Sequence, residues 1–180
     1  MSVAELSSEL LEQISAYTAG MKRNVSLIMS TGEHEERNNL KKFLYAVAGA
    51  SERLSIEERD AGNMLRSPIS FSLEVEGEDT GISFSGIPSG HEFNSLILAI
   101  LQSGGVPSKL DESNVAVIKS IDEVLRFEVF VSLNCHNCPD IVQLINQFAL
   151  LNKNIQSEMI DGGLFQDIIA ERDITGVPCV

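Results

Sequence analysis

The ten residues Val131-Ser-Leu-Asn-Cys135-His-Asn-Cys138-Pro-Asp140 lie where one hydrophobic periodicity gives way to another. Before them, apolar and polar residues alternate over residues 125–133, which is typical of a half-buried strand. After them, apolar residues recur every three or four positions over residues 141–151, as on one face of a helix. The segment therefore predicts a strand, a short loop and a helix, with the cysteine pair between the end of the strand and the start of the helix.

A cysteine pair at a strand-to-helix junction is suited to redox chemistry. The free N–H groups and the positive dipole end of a helix stabilise a thiolate, and Pro139 stands in the first turn, where a missing N–H is harmless. The two-residue spacer brings the second sulfur within bridging distance. We therefore expect Cys135 to attack a disulfide and Cys138 to resolve the mixed disulfide that forms.

A zinc site is the alternative for these cysteines. The chain has three cysteines, an odd number, and in a reducing compartment a Cys-x-x-Cys pair is either catalytic or metal-binding. A closed zinc site needs four ligands, and only His136 and Cys179 are available as further ones. His136 lies inside the pair, and there is no second Cys-x-x-Cys, so the redox interpretation is favoured. His136 itself reads as a modulator of the thiolate or as a solvated side chain.

The rest of the chain reads as two similar units, 1–105 and 106–180, separated by the Ser103-Gly-Gly-Val-Pro107 segment. Each unit runs helix, strand, loop, helix, strand and then a proline that introduces a strand, which predicts an α/β sheet covered by helices. The loop at residues 32–35 corresponds to the cysteine pair but holds no cysteine. In the first unit we predict helices around residues 6–17, 40–47 and 93–101, strands at 25–29 and 53–56, and a hairpin over 69–84 with its turn at 77–81.

In the second unit, a helix is predicted over residues 109–121, opened by Ser108 with Asp111 three residues on. A strand at 155–160, a helix at 164–170 and a turn at 175–178 follow. Pro178 enters the last strand after Gly-Val, a place that tolerates a cis bond but also suits an ordinary loop proline. Because only Cys179 and Val180 follow it, that strand has no room to form, and we expect the second unit to be C-terminally truncated.

The composition narrows the class of partner and the compartment. A formal net charge of −13 argues against nucleic acid and anionic lipid surfaces as partners. The longest apolar run, residues 96–101, is far too short to cross a bilayer. The N-terminus has neither the basic start nor the apolar block of a secretory signal, so we interpret the protein as cytoplasmic.

Several segments resemble one bacterial family. The Cys-His-Asn-Cys-Pro core is similar to the N-terminal domain of the flavoprotein component of alkyl hydroperoxide reductase, and the resemblance extends over both units. The other similar segments are Ile160-Asp-Gly-Gly-Leu-Phe-Gln166, Glu171-Arg172, Gly176-Val-Pro178, Gly90-His-Glu-Phe93, Ser95-Leu96, Gly104-Gly105 and Pro107-Ser-Lys109.

The resemblance implies two tandem thioredoxin-like folds, of which the second carries the active pair. It implies that the domain accepts electrons from a flavin- and NADH-dependent reductase region, expected to follow in the full chain, and reduces a partner peroxiredoxin that destroys hydroperoxides. The resemblance therefore implies that the full-length protein binds FAD and NADH and forms a homodimer. No cofactor is expected in this chain, which has no Gly-x-Gly-x-x-Gly.

The resemblance also assigns roles to residues. Cys135 and Cys138 align with the active pair, Pro178 with a cis-proline, and Glu92 with an acid that the first fold places near the disulfide. A buried carboxylate there could exchange protons with the thiols. However, Ser89-Gly-His-Glu92 also fits a capping box for the next helix, and both interpretations stay open.

Two residues beside these positions, His91 and Cys179, also carry predictions. His91 is predicted to be a surface residue, and Cys179, where the family has a small apolar residue, to act as a small hydrophobe.

One alternative function is a free-standing thioredoxin- or glutaredoxin-like disulfide oxidoreductase, although such proteins commonly carry a cysteine pair in each half. The other is a non-enzymatic module that binds extended peptides, which would show no disulfide turnover.

Overall fold

A six-stranded mixed sheet runs through the computed structural model, which describes residues 6–108 and 110–180. The strand order is β2-β1-β3-β4-β6-β5. None of the helices in these two ranges is long and apolar enough to cross a membrane. In chain order the elements are α1 (Ser8–Thr18), β1 (Val25–Ser30), α2 (Arg37–Gly49), β2 (Leu54–Arg59), β3 (Ser70–Val75), β4 (Glu78–Ser85), α3 (Phe93–Ser103), α4 (Glu112–Lys119), β5 (Leu125–Val131), α5 (Cys138–Leu151), β6 (Ile155–Asp161) and α6 (Gln166–Glu171), with short 3-10 helices at Gly62–Met64 and Gly90–Glu92.

The sheet is continuous between the two predicted units. Strand β1 pairs parallel with β2 and antiparallel with β3, and β3 and β4 form an antiparallel hairpin. Strand β4 then pairs parallel with β6, which pairs parallel with β5. The β4–β6 ladder therefore fuses both halves into one sheet, while the domain boundary at 105/106 stays a prediction.

The two faces of the sheet differ because side chains alternate along each strand. One face carries a fully buried apolar row that crosses the sheet and packs against α3 and α5. This row includes Met29, Phe71, Phe84, Met159 and Val129. The opposite face is polar, with Ser72, Ser83, Glu158 and Glu128 at successive paired positions.

The hairpin turn is tighter than predicted. Residues Glu76 and Gly77 both have positive φ, at 54° and 86°, which is the backbone of a two-residue hairpin turn. Strand β4 therefore resumes at Glu78, and the predicted turn over 77–81 was too long. Gly81, with φ of 77°, lies inside the strand, where a Cβ would come within 2.8 Å of the Ile155 carbonyl oxygen.

Helix α4 is shorter than predicted. Asp111 is extended, with φ of −64° and ψ of 145°, and the helix begins at Glu112. The Ser108 hydroxyl accepts a local hydrogen bond from the Leu110 N–H at 3.2 Å instead of capping the helix. Lys109, the predicted first residue, lies outside the described residues. The helix ends at Lys119, two residues before the predicted end.

Helix α5 buries a different stripe from the predicted one. Its buried residues are Cys138, Val142, Ile145, Asn146 and Ala149. Of the five predicted core positions, Ile145 is buried, while Ile141, Leu144, Phe148 and Leu151 are half-buried. The helix lies between the sheet on one side and α3 and α4 on the other, so none of residues 141–151 is exposed. A helix covered on several sides is apolar all round, and its pattern does not identify the sheet-facing stripe.

The residues after Pro178 add a short contact to the edge of the sheet. Cys179 forms an antiparallel bridge with Phe130 of β5, and the two backbone N–H groups donate across it at 2.8 and 3.2 Å. The predicted absence of a full strand holds for these residues, but the sequence did not predict the bridge. It fastens the Pro178 segment to the free side of β5.

Candidate functional site

The two cysteines lie at the junction that the sequence predicts. Strand β5 ends at Val131, and α5 begins at Cys138. Cys135 and Cys138 form a disulfide with their Cα atoms 5.5 Å apart. The strand–loop–helix arrangement is thus confirmed, and the pair is oxidised in this structure.

The two sulfurs differ in accessibility. Cys135 is half-buried, whereas Cys138 is completely buried, so Cys135 carries the more accessible sulfur. The backbone N–H of Cys138 points at Cys135 Sγ, with a nitrogen-to-sulfur distance of 3.1 Å. After reduction, the same N–H and the helix dipole would stabilise a thiolate on Cys135.

The Pro178 segment covers one side of Cys135. The Val177–Pro178 peptide bond is cis, which is the geometry that the family resemblance implies. The Val177 carbonyl oxygen lies 3.9 Å from Cys135 Sγ. Main-chain groups of residues 177–178 therefore border the more accessible sulfur of the pair.

Glu92 is completely buried in the 3-10 helix Gly90–Glu92. Neither of its carboxyl oxygens has a hydrogen-bond partner in the described part of the chain. Burial raises the pKa of Glu92, and the nearby Ser95 hydroxyl offsets only part of that effect. Since neither the Ser89 nor the Glu92 side chain makes a cap hydrogen bond, the capping-box interpretation is wrong.

The loop before the cysteines holds this 3-10 helix in place. The His91 N–H donates to the Leu133 carbonyl oxygen at 3.1 Å. Gly90 has φ of 57°, and a Cβ there would lie 2.6 Å from the same oxygen, so the close approach requires glycine. The first half of the chain thereby places Glu92 next to the element that carries the disulfide, and the 3-10 helix also packs on α5.

His91 has a contact that the sequence did not predict. It is exposed, as expected, but its ring lies against that of His136, with the centroids 4.2 Å apart and the planes inclined at 45°. The two residues come from different halves of the chain. No periodicity or motif in the sequence links the two residues. The sequence signal that could have suggested their proximity is that both lie in segments that resemble the same family.

Asp161 is a second buried carboxyl that sequence analysis did not single out. It ends β6 in register with Val131, the last residue of β5, and is 6% exposed. Its carboxylate accepts the Gly163 N–H at 2.9 Å, yet burial is the larger influence and raises the pKa of Asp161. Across residues 6–108 and 110–180, no three or more His, Cys, Asp or Glu side chains are grouped so as to hold a metal ion.

Comparisons with known proteins agree on one family. The thioredoxin domain family matches residues 125–180. The chain is 40% identical to the F subunit of alkyl hydroperoxide reductase (AhpF) from Pseudomonas aeruginosa and 41% identical to that from Staphylococcus aureus, in each case over 97% of this chain. A Bacillus subtilis protein named NADH dehydrogenase is 38% identical over 97% of this chain. The chain spans about a third of the length of these relatives, 33%, 33% and 34% respectively.

A solved structure covers nearly the same residues. The crystal structure of the N-terminal domain of AhpF from Enterococcus faecalis superposes with a TM-score of 0.88 at 31% identity, over 97% of this chain and 88% of that one. The chain belongs to the AhpF family. It corresponds to the N-terminal domain of that family, and its predicted α/β fold of tandem thioredoxin-like units is confirmed.

The AhpF domain shares its architecture with more distant proteins. A protein disulfide oxidoreductase from Aeropyrum pernix superposes with a TM-score of 0.83 at 19% identity, over 97% of this chain and 82% of that one. At this identity the likeness concerns the fold alone. AhpF membership, the thioredoxin domain and the cysteine pair together make this chain a protein-disulfide oxidoreductase domain.

Proposed function

We propose that this chain is the thiol–disulfide electron carrier of an AhpF protein. It accepts two electrons from a flavin- and NADH-dependent reductase region and passes them to the disulfide of a partner peroxiredoxin, which removes hydroperoxides. The observation that carries the proposal is the Cys135–Cys138 disulfide at the start of α5, with one sulfur half-buried and the other fully buried. This asymmetry suits one sulfur for attack and the other for resolution.

The exchange proceeds in two balanced steps. In the reduced chain, the Cys135 thiolate attacks one sulfur of the partner disulfide, so that a mixed disulfide forms and the partner's other sulfur leaves as a thiolate, which takes up a proton. Cys138 then loses its proton and attacks Cys135 Sγ. The mixed disulfide breaks, the partner's second sulfur leaves and is protonated, and the Cys135–Cys138 disulfide forms. The partner gains two electrons and this chain loses two.

The electrons for re-reduction come from outside this chain. The sequence has no Gly-x-Gly-x-x-Gly, and the strand-to-helix junction at β5 and α5 carries the cysteine pair instead of a phosphate-binding loop. We therefore place FAD and NADH in the reductase region. The name of the Bacillus subtilis relative, NADH dehydrogenase, supports the same electron source.

Glu92 and Pro178 have supporting roles in this proposal. Because Cys138 is fully buried, its proton needs an acceptor inside the protein when it becomes the resolving nucleophile. Glu92 lies buried on the 3-10 helix that packs against α5, and burial holds its pKa above the ordinary value. We assign it the proton transfer. The cis-Pro178 segment borders Cys135 and offers backbone groups to the partner's peptide.

A trapping experiment tests the proposal. The reduced chain is mixed with an oxidised peroxiredoxin of the kind that serves alkyl hydroperoxide reductase (AhpC-like), and each cysteine is read out by alkylation and mass mapping. Wild type should reduce the peroxiredoxin and finish with a Cys135–Cys138 disulfide. A Cys138→Ser variant should accumulate a mixed disulfide at Cys135, a Cys135→Ser variant should form none, and a Cys179→Ser control should behave like wild type.

The other outcomes separate the competing functions. Reduction of unrelated protein disulfides without preference for the peroxiredoxin would favour a free-standing oxidoreductase. A cysteine pair that never cycles would mean that the chain is a binding module and would refute the proposal.

A further inference from the structure

The ring contact between His91 and His136 is next to the redox pair but has no part in the exchange described above. His136 follows Cys135 directly and is held between the two bonded cysteines. His91 comes from the first half of the chain, and its ring centroid lies 4.2 Å from that of His136. Both side chains are exposed, so the contact does not result from burial.

Backbone contacts anchor the two segments that carry these rings. The His91 N–H donates to the Leu133 carbonyl oxygen at 3.1 Å, two residues before Cys135. The preceding Gly90 approaches that oxygen so closely that a Cβ would lie 2.6 Å from it. On the other side, His136 lies between Cys135, whose N–H donates to the Ser132 carbonyl oxygen at 2.9 Å, and Cys138, which begins α5, and neither of these anchors depends on the disulfide. The contact therefore joins two anchored segments.

An aromatic ring beside His136 can hold the His136 side chain in place. An imidazolium is attracted to the face of a neighbouring aromatic ring, whereas a second positive charge at this distance is repelled. Imidazole is also the side chain that normally changes charge between pH 5 and 8. A positive charge on His136 would lie beside Cys135 and would favour its thiolate over its thiol.

The other charged groups near the pair are acidic. Glu92 follows His91 and is buried, and Asp140 lies in the first turn of α5 and is exposed. Residues 174–180, which contain the Pro178 segment, carry no charged side chain. Of the side chains on these segments, the two histidines are therefore the ones that can carry a positive charge to stabilise Cys135.

We propose that His91 is a positioning residue for thiol–disulfide exchange: its ring holds the His136 ring beside Cys135, where the cationic form of His136 stabilises the Cys135 thiolate. The first half of the chain, which has no cysteine pair, would thus set the reactivity of the pair in the second half. This inference rests on the proposed function, because His91 acts only through Cys135.

The test makes two measurements on the 180-residue chain. The first is the pH profile of Cys135 alkylation in the reduced chain, and the second is the redox equilibrium of the Cys135–Cys138 pair with glutathione. In His91→Ala, the midpoint of the alkylation profile should move upward by about half to one pH unit, equivalent to a threefold to tenfold loss of thiolate below the midpoint. The redox equilibrium should shift by a similar factor toward the disulfide, which is about 15–30 mV for two electrons. His91→Phe, which keeps a ring against His136, should restore most of both values.

Two further variants make the test specific. His34→Ala removes an exposed histidine from the loop of the first half that corresponds to the cysteine loop, and it should change neither measurement. In a His136→Ala background, the additional His91→Ala substitution should have no further effect, because a positioning residue acts through its partner. Thermal unfolding of each variant shows whether it remains folded.

Each remaining outcome overturns the inference. If His91→Ala matches wild type, the contact has no role in reactivity. If His91→Phe is as impaired as His91→Ala, or if His91→Ala still acts when His136 is absent, His91 works through its own charge and not through its ring contact. Failure of the proposed function is a different result, because wild type itself would then not cycle between dithiol and disulfide.

Discussion

Glu92 is the residue whose environment departs most from what its side chain prefers. A buried carboxyl group without a hydrogen-bond partner is destabilising, typically by about 1–3 kcal/mol, and more so if it is charged. Burial raises the pKa of Glu92, so the group holds its proton at pH values where an exposed glutamate has lost it. Once ionised, a carboxylate with a raised pKa accepts a proton more readily than an exposed one, which suits the proton transfer from Cys138 that we assign to Glu92.

The raised pKa makes the stability contributed by Glu92 depend on pH. Below the ordinary value of 4.5, both folded and unfolded chains are protonated and there is no penalty. As the pH rises above 4.5, the unfolded chain ionises first, so the folded state loses stability until the higher folded pKa is passed. We expect Glu92→Gln to be about 1–3 kcal/mol more stable than wild type at about pH 8, with the difference vanishing near pH 4.

Urea unfolding of the oxidised chain at both pH values measures this difference. The exposed Glu35→Gln substitution is the matched control and should stay within about 0.5 kcal/mol of wild type at both. A Glu92→Gln variant that has the same stability relative to wild type at both pH values would contradict the raised pKa.

At the scale of elements, an asparagine clamp holds α4 against α5. The Asn152 side-chain amide follows the end of α5 and donates to the Ile118 and Ile121 carbonyl oxygens, both at 2.8 Å. Its oxygen accepts the Asn154 N–H at 2.9 Å, which shapes the turn into β6. The Ile118 carbonyl lies in the last turn of α4, where a helix leaves its last C=O groups without internal partners, and the Ile121 carbonyl lies two residues beyond the helix. The Asn152 side chain thus stabilises both the C-terminal end of α4 and the turn into β6.

We expect Asn152→Ala to lower the free energy of unfolding by about 1–3 kcal/mol, because the Ile118 and Ile121 carbonyl groups lose their 2.8 Å bonds and keep only donors at 3.3 Å, the Ile121 N–H and the Asn154 side-chain amide. Urea unfolding measures the loss. Asn114→Ala, at an exposed position of α4, is the matched control and should change stability by about 0.5 kcal/mol or less. Equal effects of the two substitutions would mean that the Asn152 hydrogen bonds contribute little.

At the scale of the whole molecule, an ion network spans the polar face of the sheet. Arg66, which precedes β3, donates from Nε and Nη2 to the two carboxylate oxygens of Glu158, both at 2.8 Å. It also pairs with Glu128, which in turn pairs with Arg172. Since Glu128 and Glu158 lie on β5 and β6, Arg66 connects the two predicted units on the face opposite α5, where the β4–β6 ladder already joins their strands.

Removal of Arg66 should destabilise the chain as one body. Arg66→Met leaves two neighbouring, partly buried carboxylates without their shared cation, so we expect a loss of about 1–3 kcal/mol that shrinks at high salt. Calorimetry should still show a single transition at a lower temperature, because the sheet is continuous. Arg53→Met, at an exposed position within the first half, is the control and should change little. Two separate transitions, with only one affected by Arg66→Met, would contradict this coupling.

Local patterns predicted much of the fold. The switch from two-residue to helical periodicity around Cys135 located β5 and α5, and the apolar spacing after Phe93 located α3. Sequence analysis was wrong where local signals compete or are incomplete. It placed the start of α4 too early, because the Ser108 hydroxyl bonds locally instead of capping the helix. It also chose the wrong stripe of α5, because that helix is covered on more than one side.

The sequence by itself determined the chemistry of this protein: a Cys-x-x-Cys pair between a strand and a helix, in an acidic chain, with the segments of one family around it. These features depend on neighbours along the chain, so periodicity and spacing reveal them. The family resemblance suggested that Glu92 lies near the pair, but only the tertiary structure decided that its carboxyl oxygens have no hydrogen-bond partner among residues 6–108 and 110–180 and that the His91 ring lies against His136. Both arise because the 3-10 helix Gly90–Glu92 packs on the cysteine loop, and such packing between distant segments depends on the shape of the folded chain, which local sequence patterns do not encode.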